Sequence, residues 1–343
     1  MVCILPLKSI EWLDGTIRII DQNKLPEKLV YEELKTLKDV IDAIKDMKVR
    51  GAPLLGVTAA LALALEGFNN RGLKREEIIK KLKEAGKKLL KTRPTAVNLK
   101  WAIERVLSGI DVVRSPVEVV IDRALKIYRE DIEVNRRIGL NGQTLIEDGD
   151  AILTHCNTGS LATVSLGTAL GVIITAHSLG KRVRVLATET RPKLQGARLT
   201  MFELKMEGID ATLIPDTAVG YVMRIGKVKK VIVGADRILK DGTTYNKIGT
   251  YQIAVLAKHH GIPFYVAAPT STFDLKSSRE EVKIEERDWH EVAFIGDKRI
   301  APEGVKILNP AFDETPPELI SAIITEKGIV YPPYNKNIRN LFK

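Results

Sequence analysis

Residues 151–159 read Ala151-Ile-Leu-Thr-His-Cys-Asn-Thr-Gly159. Four uncharged residues stop at a small polar turn that closes on glycine, and an uncharged stretch follows at 160–179 that reads as a helix buried against a sheet. A strand that ends in such a turn and feeds a helix is a common anion site of α/β proteins. The strand's carboxyl end opens on a crevice, and the helix start offers unpaired backbone N–H groups. The stretch also carries His155 and Cys156, one of two cysteines in the chain. It reads as half of an active site, and the rest of the chain has to supply the other half.

Outward from this stretch toward the C-terminus, short apolar runs alternate with helical patterns. The runs fall at 151–154, 183–188, 211–214, 231–234 and 264–267, with a weaker one at 305–308. The helical patterns between them cover 160–179, 195–207, 217–225 and 248–260, and a last one covers 317–326. Strand and helix in alternation imply right-handed crossovers and a doubly wound, Rossmann-like parallel sheet. Residues 270–300 read as a polar excursion over the sheet edge. No GxGxxG follows the first strand and no GxxxxGK[ST] occurs, so neither a dinucleotide nor a P-loop nucleotide site is expected.

Toward the N-terminus the texture is different. Asp14-Gly15 sits between two alternating runs, which predicts a β-hairpin over 8–20. Apolar residues at 37, 40, 41, 44 and 47 have helical spacing. Further helices are expected at 54–65, 73–90, 99–107 and 116–147, the first almost wholly apolar. The chain therefore divides into a smaller hairpin-plus-helical domain at 1–147 and a catalytic domain at 148–343.

Composition narrows the function. The formal net charge is +10, from 53 basic and 43 acidic residues, which favours anionic ligands. The basic residues are mixed with acids, as in Lys74-Arg-Glu-Glu77 and Arg279-Glu-Glu281, and no basic run is interleaved with aromatics. Nucleic acid is not the expected partner. Cys3 and Cys156 make no disulfide framework and no zinc spacing, so no metal is expected and a reduced, cytoplasmic setting is. The first residues lack the basic start and long apolar core of a signal peptide. The uncharged segment 157–180 is long enough to raise the question of a membrane span. Its Thr, Ser and Gly, its His177 and its lack of aromatic anchors argue against one.

Several residues are candidates for chemistry. Cys156 stands at the end of the first strand among polar neighbours, where a following helix N-terminus would lower its thiol pKa. A lone cysteine there is a nucleophile or a small core residue, and position alone leaves both open. Asp236 ends the apolar run 231–235, which puts it on the same sheet rim. It is a helix cap or an acid–base group, and the loop after it, with Asn246 and Lys247, would suit proton transfer beside a phosphate. Arg50-Gly-Ala-Pro53 joins a cation to a turn and a helix start. Arg93-Pro94-Thr95 and the loop from Glu189 to Arg198, with Gln195, are likewise polar, Arg-bearing loops. Any one of these fits a surface loop, but several together point to a phosphorylated small ligand.

Taken together, His155-Cys-Asn-Thr-Gly159, Glu189-Thr-Arg-Pro192 with Gln195-Gly-Ala-Arg-Leu-Thr200, and Gly234-Ala-Asp-Arg237 with Asn246-Lys-Ile-Gly-Thr250 resemble the methylthioribose-1-phosphate isomerases. Arg50-Gly-Ala-Pro53, Arg93-Pro-Thr-Ala-Val-Asn98, Glu285-Glu-Arg-Asp288, Asn309-Pro-Ala-Phe-Asp313, Thr315-Pro316 and Ile324-Thr-Glu-Lys-Gly-Ile329 extend the likeness over almost the whole chain. The resemblance implies an aldose–ketose isomerase of methionine salvage that takes 5-methylthioribose 1-phosphate to 5-methylthioribulose 1-phosphate. It implies Cys156 and Asp236 as the catalytic pair, with Arg50, Gly51, Ala52, Arg93, Gln195, Asn246 and Lys247 holding the sugar phosphate. A homodimer with no metal and no organic cofactor is implied as well. The wider family includes ribose-1,5-bisphosphate isomerases and regulatory subunits of translation initiation factor 2B. These give two alternatives: another pentose phosphate as substrate, the bisphosphate or a 5-deoxypentose 1-phosphate, or a non-catalytic regulatory subunit.

Overall fold

The computed structural model describes residues 7–343. Cys3 and the start considered as a leader lie outside the described residues. The chain opens with β1 (Ile10–Trp12) and β2 (Ile17–Ile20), joined at Asp14 and Gly15, whose φ of 44° and 92° are those of a tight hairpin turn. A third strand, β3 (Tyr31–Leu34), extends this sheet. Its Tyr-Glu-Glu-Leu sequence carries no alternation that would mark it as a strand.

Five helices follow: α1 (Leu37–Lys45), α2 (Ala52–Asn69), α3 (Arg75–Leu90), α4 (Val97–Leu107) and α5 (Pro116–Gly142). Thr36 and Asp39 form a reciprocal capping box that starts α1. α2 is apolar on every side because it is the centre of this bundle, with Leu54, Leu61, Leu63 and Leu65 fully buried. By length and composition it could also cross a membrane, but most of it is buried inside the molecule. α5 packs on α2 and also reaches the second half of the chain through Ile138, so it ties the two halves together.

The second half contains β4 (Ala151–Thr154), α6 (Ala169–Ser178), β5 (Arg184–Thr188), α7 (Met201–Met206), β6 (Asp210–Ile214), α8 (Val219–Arg224), β7 (Lys230–Val233), β8 (Arg237–Leu239) and β9 (Thr244–Lys247). It continues with α9 (Thr250–His259), β10 (Phe264–Ala267), β11 (Phe273–Asp274), α10 (His290–Ala293), β12 (Phe294–Ile295) and β13 (Lys298–Arg299). It ends with β14 (Phe312–Thr315), β15 (Ala322–Thr325), β16 (Gly328–Val330) and α11 (Tyr334–Leu341).

Seven strands form the large sheet in the order β16-β15-β10-β7-β4-β5-β6, parallel except for β16. Successive residues of β4 face opposite sides. Ile152 joins a core with α5, α6 and α7, whereas Leu153 joins one with α8, α9 and α11. Burial on both faces explains why these strands read as continuous apolar runs. Chain order proceeds outward from β4 in both directions, so the carboxyl ends of β4 and β7 are neighbours.

Four sequence expectations fail here. The uncharged stretch 160–179 is not one helix: a short 3₁₀ turn, Ser160–Ala162, is followed by a loop, and α6 starts only at Ala169. Glycine at 167, with φ of 94°, breaks the segment. No strand forms at 305–308, where Leu308 is exposed; the sheet is completed instead by Ala322–Thr325, in the middle of the expected helix 317–326. There Ala-Ile-Ile-Thr is too short and too β-branched for a helix. The loop expected after Asp236 is a second small sheet, β11-β8-β9-β14, so Asn246 and Lys247 sit on β9 rather than on a free loop.

Candidate active site

All nine residues singled out in the sequence line a single cleft: Arg50, Gly51, Ala52, Arg93, Cys156, Gln195, Asp236, Asn246 and Lys247. They come from both halves of the chain. Gly51 ends the approach to α2 with φ of 103°, and a Cβ there would meet the Ala162 Cα at 2.6 Å. The glycine lets the Arg50 backbone press against the 3₁₀ turn after β4.

Cys156 stands two residues after the end of β4 and has φ of 64°, an unusual value for a side chain that cannot bond its own backbone. Two threonines hold it. Its N–H donates to Thr190 Oγ1 at 2.9 Å, and its carbonyl accepts from Thr200 Oγ1 at 2.6 Å. His155 is turned away, between Thr188 Oγ1 at 2.6 Å and the Ile248 carbonyl at 2.8 Å, and does not serve the thiol. Burial pushes the Cys156 thiol above its ordinary pKa, against the pull of Arg50 and Lys247. The expected lowering by a helix N-terminus is therefore overturned, because no helix starts within twelve residues of Cys156 apart from the short 3₁₀ turn.

Asp236 lies between β7 and β8, and its N–H donates to the Tyr245 carbonyl at 2.9 Å. Its carboxyl is likewise raised by burial, and Lys247, Arg50 and Arg93 oppose the rise. Lys247 is held by the Ala311 carbonyl at 2.9 Å and lies 4.7 Å from the centre of the Phe312 ring. Burial lowers its pKa, and Cys156 and Asp236 hold it up. Thiol, carboxyl, ammonium and guanidinium thus act on one another within one crevice. Asn246 donates to Thr250 Oγ1 at 2.9 Å.

Two buried polar atoms in the cleft have no partner, Arg93 Nε and Gln195 Oε1. Such atoms are costly unless a ligand or water completes them. Gln195 precedes a π-helical turn, Gly196–Thr200, that leads into α7. A Cβ on Gly196 would lie 1.7 Å from the Thr188 carbonyl oxygen, so this close turn requires glycine. Among the described residues no group of three or more His, Cys, Asp or Glu is placed to hold a metal.

This geometry has clear parallels. The model of the initiation factor 2 subunit family matches residues 48–332. The chain belongs to that family, among its methylthioribose-1-phosphate isomerases. A methylthioribose-1-phosphate isomerase of Thermosipho melanesiensis is 52% identical over 98% of both chains. The structure of a 5-methylthioribose 1-phosphate isomerase from Pyrococcus horikoshii OT3 superimposes with a TM-score of 0.91 at 41% identity, covering 99% of this chain and 96% of that one. An A. fulgidus structure described as translation initiation factor eIF-2B, subunit delta, has a TM-score of 0.86 at 50% identity, covering 98% and 99%.

The site of this family member contains residues that the sequence did not single out. Glu285 and Arg287 line the cleft together with Thr95 and Asn157. Arg93 Nη1 donates to Glu285 at 3.1 Å, Thr95 Oγ1 donates to the same carboxylate at 3.3 Å, and Arg287 Nη1 lies 3.4 Å away. The Glu285-Glu-Arg-Asp288 motif was visible in the sequence, but the segment around it was expected over the sheet edge. Residues 282–285 and Arg287 of that segment line the cleft.

Proposed function

We propose that the chain isomerises 5-methylthioribose 1-phosphate to 5-methylthioribulose 1-phosphate, with Cys156 and Asp236 as its proton-transfer pair. The observation that carries the proposal is the convergence of all nine motif residues on one cleft, in a chain alike over its full length to isomerases of that name. Arg50, Arg93, Gln195, Asn246 and Lys247 hold the phosphate and sugar hydroxyls, beside the backbone at Gly51 and Ala52. Gln195 Oε1 and Arg93 Nε supply an acceptor and a donor that the fold leaves open.

A sugar whose anomeric oxygen carries phosphate does not open its ring freely. The ring oxygen needs a proton as its bond to C1 breaks, and the C2 hydroxyl must lose one as C2 becomes the ketone. Hydrogen then passes from C2 to C1. Cys156 and Asp236 both hold protons more tightly than in water, which suits groups that donate and recover them within the cleft. Met47, Leu55, Pro53 and Phe312 line the same cleft and exclude water from it. They also favour a methylthio group over a second phosphate at C5. Arg237 is paired with Asp274 at 3.3 Å and Arg287 with Glu291, so neither is idle for a second anion.

The large sheet is read as doubly wound in the Rossmann manner. The reversal of chain order between β4 and β7 supports this, since Cys156 and Asp236 follow those two strands at the switch point. A cytoplasmic homodimer acting on a small sugar phosphate, without a resident metal or cofactor, completes the proposal.

The test is an assay of the purified protein on 5-methylthioribose 1-phosphate and on ribose 1,5-bisphosphate, with product followed by NMR. Turnover of the methylthio sugar supports the proposal, and turnover of the bisphosphate alone refutes it. Turnover of neither favours the regulatory role suggested by the name of the A. fulgidus protein.

A further inference from the structure

Glu203, on α7, is only 3% exposed and lies beneath the turn that carries Cys156. Asn157 Nδ2 donates to its Oε1 at 2.7 Å, and the nearby backbone N–H groups of Ser160 and Leu161 favour its charged form. Asn157 passes the contact on. Its side-chain oxygen accepts from Arg50 Nη2, and its carbonyl accepts from Arg50 Nη1 at 3.2 Å. Gln22 holds the third edge, accepting from Arg50 Nε at 3.1 Å while donating to the Leu161 carbonyl at 2.7 Å. Gly159 leaves room for this arrangement, since a Cβ there would lie 2.4 Å from Glu203 Oε2.

An Asn amide has two ends, and only one orientation offers its oxygen to Arg50. The carboxylate of Glu203 is an acceptor and makes the shorter of two bonds from the Asn157 nitrogen, the other going to Thr200 Oγ1 at 3.2 Å, so the nitrogen turns toward Glu203 and the oxygen toward the guanidinium. A carboxylate buried this deeply is expensive when its only gain is a tie between loops. Its burial pushes its pKa up to about 7. An apolar side chain would fill the space more cheaply.

We infer that Glu203 is a positioning residue of the isomerase site, which sets Asn157 and through it aims Arg50 at the sugar phosphate. The inference rests on the proposed reaction only for the identity of the sugar. In Glu203→Gln the negative charge is lost and one acceptor oxygen becomes an amide donor, so the charge-assisted bond that orients Asn157 weakens and Arg50 is held less firmly.

The experiment compares wild type, Glu203→Gln, Asn157→Ala and the double variant in two measurements: steady-state kinetics, and calorimetric binding of 5-methylthioribose 1-phosphate. Glu203→Gln is expected to raise KM and weaken binding about tenfold or more, with a smaller change in kcat and an unchanged circular dichroism spectrum. The double variant is expected to bind no worse than Asn157→Ala, because both changes act along one path. If Glu203→Gln does not fold, Glu203→Asp, which keeps the acid, is expected to show an intermediate KM. Wild-type KM and affinity in whichever variant folds, with only a lower Tm, would overturn the inference and leave a structural role. So would additive losses in the double variant. Wild-type turnover tests the reaction separately. Binding reports on Glu203 even if the wild type does not turn the sugar over.

Discussion

Arg93 and Glu285 are 192 positions apart in the chain and 3.1 Å apart in the fold. The contact joins the loop before α4 to the excursion before α10, so it closes one side of the cleft. Arg93 keeps its Nε buried and without a partner. Arg93→Ala removes a cation and a tie at once. A hydrogen bond from a charged group is worth about 1.5–3 kcal/mol, so KM is expected to rise roughly 10- to 100-fold. Steady-state assays at two salt concentrations check this. The loss should shrink only slightly at high salt, because the attraction lost belongs to a largely buried cation that salt screens weakly.

Cys156 combines a raised pKa with a place in the cleft, so its thiol stays protonated through neutral pH. The rate of alkylation by iodoacetamide, in a Cys3→Ser background, is expected to be low at pH 7. It should climb only above the ordinary thiol range, because the thiolate is the reactive form. Bound sugar phosphate should slow the reaction at every pH. Fast alkylation at pH 7 would show that Arg50 and Lys247 outweigh burial.

The sheet rim was legible in the sequence because each site residue there ends or follows a continuous apolar run, as Cys156 follows 151–154 and Asp236 follows 231–235. Arg50 and Gly51 were legible from a turn before an apolar helix. What the sequence hid was non-local. Asn246 and Lys247 are held on β9 by pairing with β8 and with β14, more than sixty residues away, and no local pattern announces that partner. Glu203 lies in the helical pattern 195–207 and Glu285 in the polar excursion 270–300, and neither pattern gives these acids a role at the site. Their roles come from Arg93 and Asn157, which only the fold brings to them.

Asp131 gives a stability prediction with a definite sign. Its carboxylate accepts the Val164 N–H at 2.8 Å, and burial pushes its pKa up to about 7. An unfolded Asp titrates near ~3.9. The folded value is higher, so its contribution is fully present below about pH 4 and is lost as pH rises through 7. Thermal unfolding at pH 5, 6, 7 and 8 is expected to show stability falling by the order of 1–3 kcal/mol across that window. Asp131→Asn keeps an acceptor for Val164 and does not titrate, so its slope should be shallower. The slope should not vanish, because Glu203, also pushed up to about 7, titrates in the same window.

Asp236 is the residue on which the proposed chemistry depends most, and Lys247 is the largest influence opposing its raised pKa. Asp236→Asn preserves shape and the backbone bond to Tyr245, but it can neither give nor take a proton. Turnover is expected to fall about 10²- to 10⁴-fold, with KM changed little and the fold intact by circular dichroism. Lys247→Met removes the nearby cation, so Asp236 should titrate higher still. Carboxyl carbon NMR of the wild type and of Lys247→Met reads that shift directly. A lower pKa in Lys247→Met would mean that the ammonium does not face Asp236, and near-normal turnover by Asp236→Asn would remove the carboxyl from the reaction.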